Sequence, residues 1–318
     1  GEDPVDVSRR ERRDAGLFLA GPLRADREVA DPDDPVLFAQ RIEHLGGLFG
    51  EAHDPLGVGH ALRLGQGRPS QGWETPEHRV SGGRSLVSVV MSFLAVSFEV
   101  EDPGPVAAFW AGMLDRDVVM EEGGALVSGD DTQVGLRFVA ADVATDNRPN
   151  RIHLHLTSAD LDDQHRSVTK AMQRGGRLIR EYPEEGHVVM ADPARNEFCV
   201  IEPGADFLWG TGYLGEVTCE GPRESGRFWR DALAWPLVWD RGVQTAIQSP
   251  AGGTKISWDV RPGPPDYGSR RQWFDLVATD REAEIQRLIG LGAEPVGEAG
   301  GAIRMVGPGG NEFTLAAR

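Results

Sequence analysis

Cysteine is nearly missing from this chain: Cys199 and Cys219 are the only two in 318 residues. A disulfide framework is thereby excluded, and a reduced, cytoplasmic setting is the expectation. Lysine is almost as scarce, with Lys170 and Lys255 alone among 33 basic residues. Positive charge is short overall, 33 basic against 50 acidic residues for a net of −17. That balance argues against a phosphate-backbone binder, which needs a basic stripe, and against docking on anionic lipid. Long apolar runs are lacking too. The most apolar stretch, 86–100, is interrupted by serine and glutamate, and none approaches the roughly 18 residues of a membrane helix. No secretory signal is recognisable in the acidic, arginine-rich first residues. Nucleic acid and membrane drop out as expected partners.

What is present divides into three regions. Residues 1–90 hold 11 arginines and 15 acidic residues and are rich in proline and glycine. One helix pattern stands out there, near Pro35–Phe49, and one amphipathic helix cannot bury a core alone. This region reads as a disordered or loosely docked extension, with a small helical adaptor as the alternative. From Met91 the pattern changes and repeats. A strand alternating around Leu94, Val96, Phe98 and Val100 precedes a helix over 105–114, with proline at its start. Three short strands follow. A second unit of the same kind begins at Arg151, a third near Tyr213 and a fourth at Arg271. The helix pair Phe109-Trp110 returns 119 residues later as Phe228-Trp229, and His153 is matched by Trp273 after 120. The turns Asn196-Glu197-Phe198 and Asn311-Glu312-Phe313 recur in register. Four similar units in two pairs make an internal repeat, joined near 203–212.

The most specific segments are Asn150-Arg151-Ile152-His153-Leu154-His155-Leu156 followed by Asp160-Leu161-Asp162, and Ala191-Asp192-Pro193-Ala194-Arg195-Asn196-Glu197-Phe198. With the strand–helix–three-strand repeat, they resemble the vicinal-oxygen-chelate superfamily of glyoxalase I, extradiol dioxygenases and bleomycin-resistance proteins, in its glyoxalase-like subgroup. The resemblance covers about 92–318. It implies an α+β fold of two tandem domains, 91–206 and 212–318, each built from two βαβββ units curling into an open cup around a ligand or metal. In such proteins a divalent ion is held by histidine and glutamate from the first and last strands of the units. Here the corresponding positions fall on Ala95, His153, Cys199 and the 136–138 segment in the first pair. In the second pair they fall on Leu214, Trp273 and Thr314, with Ser257 or Asp259 near the fourth. His153 alone matches a ligand type, so no metal or other cofactor is assigned. A divalent ion at a displaced site of His153, His155 and Glu197 or Glu99 stays open.

Strand alternation puts residues i and i+2 on one face. If His153 faces the cup, so does His155; Glu197 then accompanies Cys199, and Ser97 and Glu99 accompany Ala95. His153 and His155 are the candidate acid/base pair, since imidazole titrates near neutrality, or a structural pair within a polar cavity. Ser97, Glu99, Arg137, Glu197 and Cys199 are the polar candidates for the cup lining. Trp258 and Trp273 are read as lining an apolar slot or as core, and Asp275, in the place of His155, as orienting a polar or cationic group. Cys199 and Cys219 are also read as buried thiols, and His187 as a solvated turn residue. The expected partners are a small-molecule ligand and, as an open alternative, a second copy of the chain. The leading expectation is a glyoxalase/bleomycin-resistance-like protein that binds a small molecule without the full metal site. The alternative is a lyase- or dioxygenase-type enzyme, metal-free through His153 and His155 or metal-dependent through a non-standard site.

Overall fold

The computed structural model describes residues 91–142, 150–183, 186–260 and 271–318. The extension expected over 1–90 lies outside them. The first unit is β1 (Met91–Val100), α1 (Pro103–Leu114), β2 (Val118–Glu121), β3 (Gly124–Val127) and β4 (Gly135–Ala140). The second is β5 (Ile152–Leu156), α2 (Leu161–Gln173), β6 (Arg177–Tyr182), β7 (His187–Ala191) and β8 (Glu197–Ile201). The third is β9 (Leu214–Glu220), α3 (Arg223–Leu233), β10 (Leu237–Arg241), β11 (Gln244–Gln248) and β12 (Lys255–Asp259). The fourth is β13 (Gln272–Ala278), α4 (Arg281–Gly290), β14 (Glu294–Ala299), β15 (Ala302–Val306) and β16 (Glu312–Ala317). Helix starts follow the side chains: Asp102 accepts from the Gly104 N–H, with Pro103 in the first turn, and Asp160 accepts from the Asp163 N–H at 2.7 Å.

The units assemble into two mixed eight-stranded sheets, ordered β14-β15-β16-β13-β1-β4-β3-β2 and β10-β11-β12-β9-β5-β8-β7-β6. The α+β class with two βαβββ units per sheet is as the sequence indicates. The partnering is not. The sequence reading joins consecutive units in one cup. In the structure the first unit joins the fourth through antiparallel β1 and β13, and the second joins the third through β5 and β9. Each unit offers the same free edge on its first strand, so the repeat alone cannot choose between the two pairings.

Alternation along the strands decides the two faces of each sheet. Phe98, Leu136, Phe138, Phe274 and Phe313 of one sheet, and Leu154, Phe198, Val217, Ile256 and Trp258 of the other, belong to a single continuous core. The helical aromatics close it. Trp110 meets Phe198 edge-on at 5.0 Å, and Trp229 meets Phe274 at 5.0 Å while stacking on Trp258 at 6.2 Å. The Asp192 turn is structural. Its buried carboxylate accepts from the Ala194 and Asn196 N–H groups, the Asn196 side chain and the Trp110 indole, each at 2.9–3.0 Å. Burial raises the Asp192 pKa against those hydrogen bonds. Among the described residues no helix is long and apolar enough to cross a membrane.

Candidate functional site

The opposite face of each sheet, away from the core, carries the polar residues. In the β1/β13 sheet one row runs Val119, Leu126, Arg137, Ser97, Trp273 across five strands. The adjacent row runs Gly135, Ala95, Asp275, Thr314, Arg304. Asp275 is 4% exposed and gathers this face together. It accepts from the Ser97 hydroxyl at 2.5 Å, the Thr314 hydroxyl at 2.6 Å and the Trp273 indole at 2.8 Å, and it pairs with the Arg137 guanidinium. Arg137 turns its Nε and Nη2 to Glu121, at 2.8 and 3.1 Å. Its desolvation, which favours the neutral form, is outweighed by Asp275 and Glu121, and its pKa is raised. Glu99 lies on the same face. Arg137, Trp273, Thr314, Leu126, Glu121 and Glu99 are all half-buried, and Val119 is exposed.

The β5/β9 sheet builds the matching rows, Trp239, Ala246, Ser257, Thr218, His153 and Lys255, Glu216, His155, Cys199, Val189. Here the collecting carboxylate is Glu216, fully buried. His155 donates Nδ1–H to it at 2.7 Å and Ser257 donates its hydroxyl. Burial pulls the His155 pKa down, but the Glu216 carboxylate, reinforced by Cys199, outweighs it and pushes the value up to about 10. His153 donates Nε2–H to the Asn150 carbonyl at 2.9 Å, with Glu197 3.8 Å away.

This second cup is filled from within the chain. The linker between β8 and β9 forms a short 3-10 turn, Asp206–Leu208. Its Phe207 and Leu208 join one apolar cluster with Val189, Cys199 and Ile201 on one side and Ala246 and Trp239 on the other. Phe207 meets Trp239 edge-on at 5.1 Å, and its carbonyl accepts from the Lys255 ammonium. β8 and β11 are four strand spacings apart, about 19 Å in a flat sheet, so two neighbouring residues touching both require the sheet to curl. A separate groove of about 470 Å³ lies along 157–159 and the linker, beside the exposed Trp209. It touches neither polar row.

The candidates named from sequence thus divide between two faces. Ser97, Glu99, Arg137, Trp273 and Asp275 share the first; His153, His155, Glu197 and Cys199 share the second. A site combining His153 and His155 with Glu99 is ruled out, because Glu99 is on the other sheet. Trp258 lines neither cup. It is fully buried on the core face and donates its indole N–H to Asn311 at 2.8 Å; an even register position put it opposite to Ser257 and Asp259. His187 is buried and stacked on Tyr182 rather than solvated. Cys219 is buried in the core, where desolvation raises its pKa well above the usual thiol range. Glu121, Glu216 and Phe207 were not foreseen. A register shift between Leu214 and Glu216 puts Leu214 in the core and Glu216 on the polar face, so plain alternation did not reveal it; Phe207 lies outside the repeat and had no signal.

A divalent metal does not fit either face. In the first, the one buried carboxylate is already in contact with a guanidinium, which would repel a second cation. In the second, Glu216 already accepts from both His155 and Ser257, and the His153 Nε2–H is taken by the Asn150 carbonyl, so these side chains are spent on one another rather than converging on a shared point. Among the described residues no group of three or more His, Cys, Asp or Glu side chains is arranged to hold a metal ion. His155 is 2% exposed and its Nδ1–H is held by the buried Glu216 carboxylate, which keeps the ring out of reach of a molecule at the surface of this face.

The profile of the Glyoxalase-like domain family matches residues 95–201 and 216–316. No curated protein matches the sequence. Among solved structures, glyoxalase I from Zea mays is 14% identical, with a TM-score of 0.51 over 72% of this chain and 93% of that one. A point variant of the same maize enzyme gives a TM-score of 0.52 at the same identity and coverage. A putative dioxygenase from Bacillus subtilis is 15% identical over 72% of this chain and 85% of its own, with a TM-score of 0.48. At such identities the maize enzyme shares the fold and nothing more is implied. Two family matches in tandem span more than half the chain, on the βαβββ units described above, and the chain belongs to the Glyoxalase-like domain family.

Proposed function

We propose that this chain binds a small molecule in the β1/β13 cup and that the β5/β9 cup is a structural counterpart. The observation that carries this reading is the contrast between equivalent positions. Cys199 and Ala246 are buried against the linker and Ser257 is buried beside them, whereas Thr314, Leu126 and Arg137 stay half-buried on a face that mixes apolar surface with oriented polar groups. That mixture is what ligand pockets use, apolar area for affinity and a few fixed donors and acceptors for orientation. Asp275 supports the reading by holding Ser97, Arg137, Trp273 and Thr314, from four strands, in place through its carboxylate.

The test is a compound screen by thermal shift, with hits followed by indole N–H signals in NMR. A ligand in this cup should shift the Trp273 signal and leave Trp258 unmoved. Binding should be lost when Leu126→Trp fills the face, with the melting temperature of the free protein retained. Hits that are indifferent to Leu126→Trp, or that move only linker signals, would overturn the assignment.

A further inference from the structure

The cup filled from within indicates what its counterpart takes. In the β5/β9 cup the occupant is a phenyl ring, Phe207, set against Trp239 and Ala246 on one wall and Cys199 on the other, with its carbonyl bonded to Lys255. Strand register places Val119, Leu126, Thr314 and Gly135 at the corresponding points of the β1/β13 cup. Valine for tryptophan takes bulk out of one wall and leaves Val119 49% exposed, while leucine for alanine adds apolar surface on the next strand. The seat that holds a ring in one cup is therefore still apolar in the other, and open to solvent at its Val119 end.

Beside that seat Arg137 stands where the filled cup has Ser257. Its Nη1 is committed to the buried Asp275. Its Nε and Nη2 face Glu121, whose side chain is 31% exposed at the end of an edge strand. That Nε/Nη2 edge is the one that takes a carboxylate through two parallel hydrogen bonds. Glu121 and Val119 are two residues apart on β2, about 7 Å on one face, a distance that a single arylacetate-sized molecule spans. Exchange of one carboxylate for another keeps Arg137 paired, and the released Glu121 is already near solvent.

On the reading that this cup binds a small molecule, we infer that its ligand is an aromatic carboxylic acid. The ring lies over Val119 and Leu126, and the carboxylate replaces Glu121 on Arg137. Glu121 is then a resident competitor, and this gives the assignment a test that a structural role would not pass.

Isothermal titration of the full chain with phenylacetate, hexanoate and phenethylamine separates the ring from the charge. Phenylacetate should bind at least ten-fold tighter than either of the others. Glu121→Gln, a change at an exposed rim that leaves Asp275 in place, should tighten phenylacetate several-fold and leave phenethylamine unchanged or weaker. Leu126→Trp should abolish binding. If hexanoate or phenethylamine binds as well as phenylacetate, or if Glu121→Gln weakens the acid, the aromatic-acid assignment falls while binding in the cup stands. If all three probes and a broad library fail to bind, the cup reading falls with it.

Discussion

Replacing Glu216 by glutamine should convert a pH-dependent part of the stability into a penalty. His155 is buried and donates Nδ1–H to the Glu216 carboxylate at 2.7 Å. Against an ordinary imidazole value of 6.5, the folded protein holds the proton to about pH 10. A folded pKa above the unfolded one means stability that is complete below about 6.5 and is lost as pH rises toward 10. At 1.36 kcal/mol per tenfold change, the full effect is at most about 5 kcal/mol. In the glutamine variant burial without the carboxylate favours neutral imidazole, so the variant gains nothing on acidification. Urea unfolding of both proteins from pH 6 to 9.5 should therefore show a gap of several kcal/mol at the acid end. The gap should close by about 1.4 kcal/mol per pH step. A gap that is flat with pH, or that widens toward alkali, would refute the ion-pair account of this cup.

Three further substitutions probe the rest of the scheme. Asp275→Ala removes the acceptor of four donors and leaves Arg137 half-buried beside Glu121 alone; a loss of about 3–5 kcal/mol is expected in urea unfolding, and under 1 kcal/mol would show that the network is incidental. Asp192→Ala strips four hydrogen bonds from a buried turn and should cost about 2–4 kcal/mol, with the Trp110 indole signal displaced in NMR. Phe207→Ala should destabilise by about 3 kcal/mol through the cavity left behind. In the same variant Cys199 should react with a thiol reagent at least ten-fold faster than in the parent, while Cys219, in the core, stays protected; equal rates for Cys199 would show that the linker does not cover it.

Much of this molecule is legible in the chain because strand alternation and helix starts are local. Val96 and Phe98 against Ser97, or Phe313 against Thr314, announce which side faces the core from neighbouring residues alone. Ser97, Arg137, Trp273 and Asp275 could be named for that reason. Their meeting at one carboxylate could not, because Ser97 and Asp275 are 178 residues apart and belong to units that the sequence reading assigned to different cups. Trp258 shows the limit at close range: aromatic residues on strands suit either face, and its placement depends on Trp229 stacking from a helix.

By itself, the sequence determined four βαβββ units and the family they belong to, since both are written in short repeated spacings. Tertiary structure alone decided which unit pairs with which, that His155 is buried against the Glu216 carboxylate, and that Phe207 packs into one cup while the equivalent residues of the other stay half-buried. Those outcomes depend on edges and surfaces that look alike within each unit and become different only when strands far apart in the chain are brought into register.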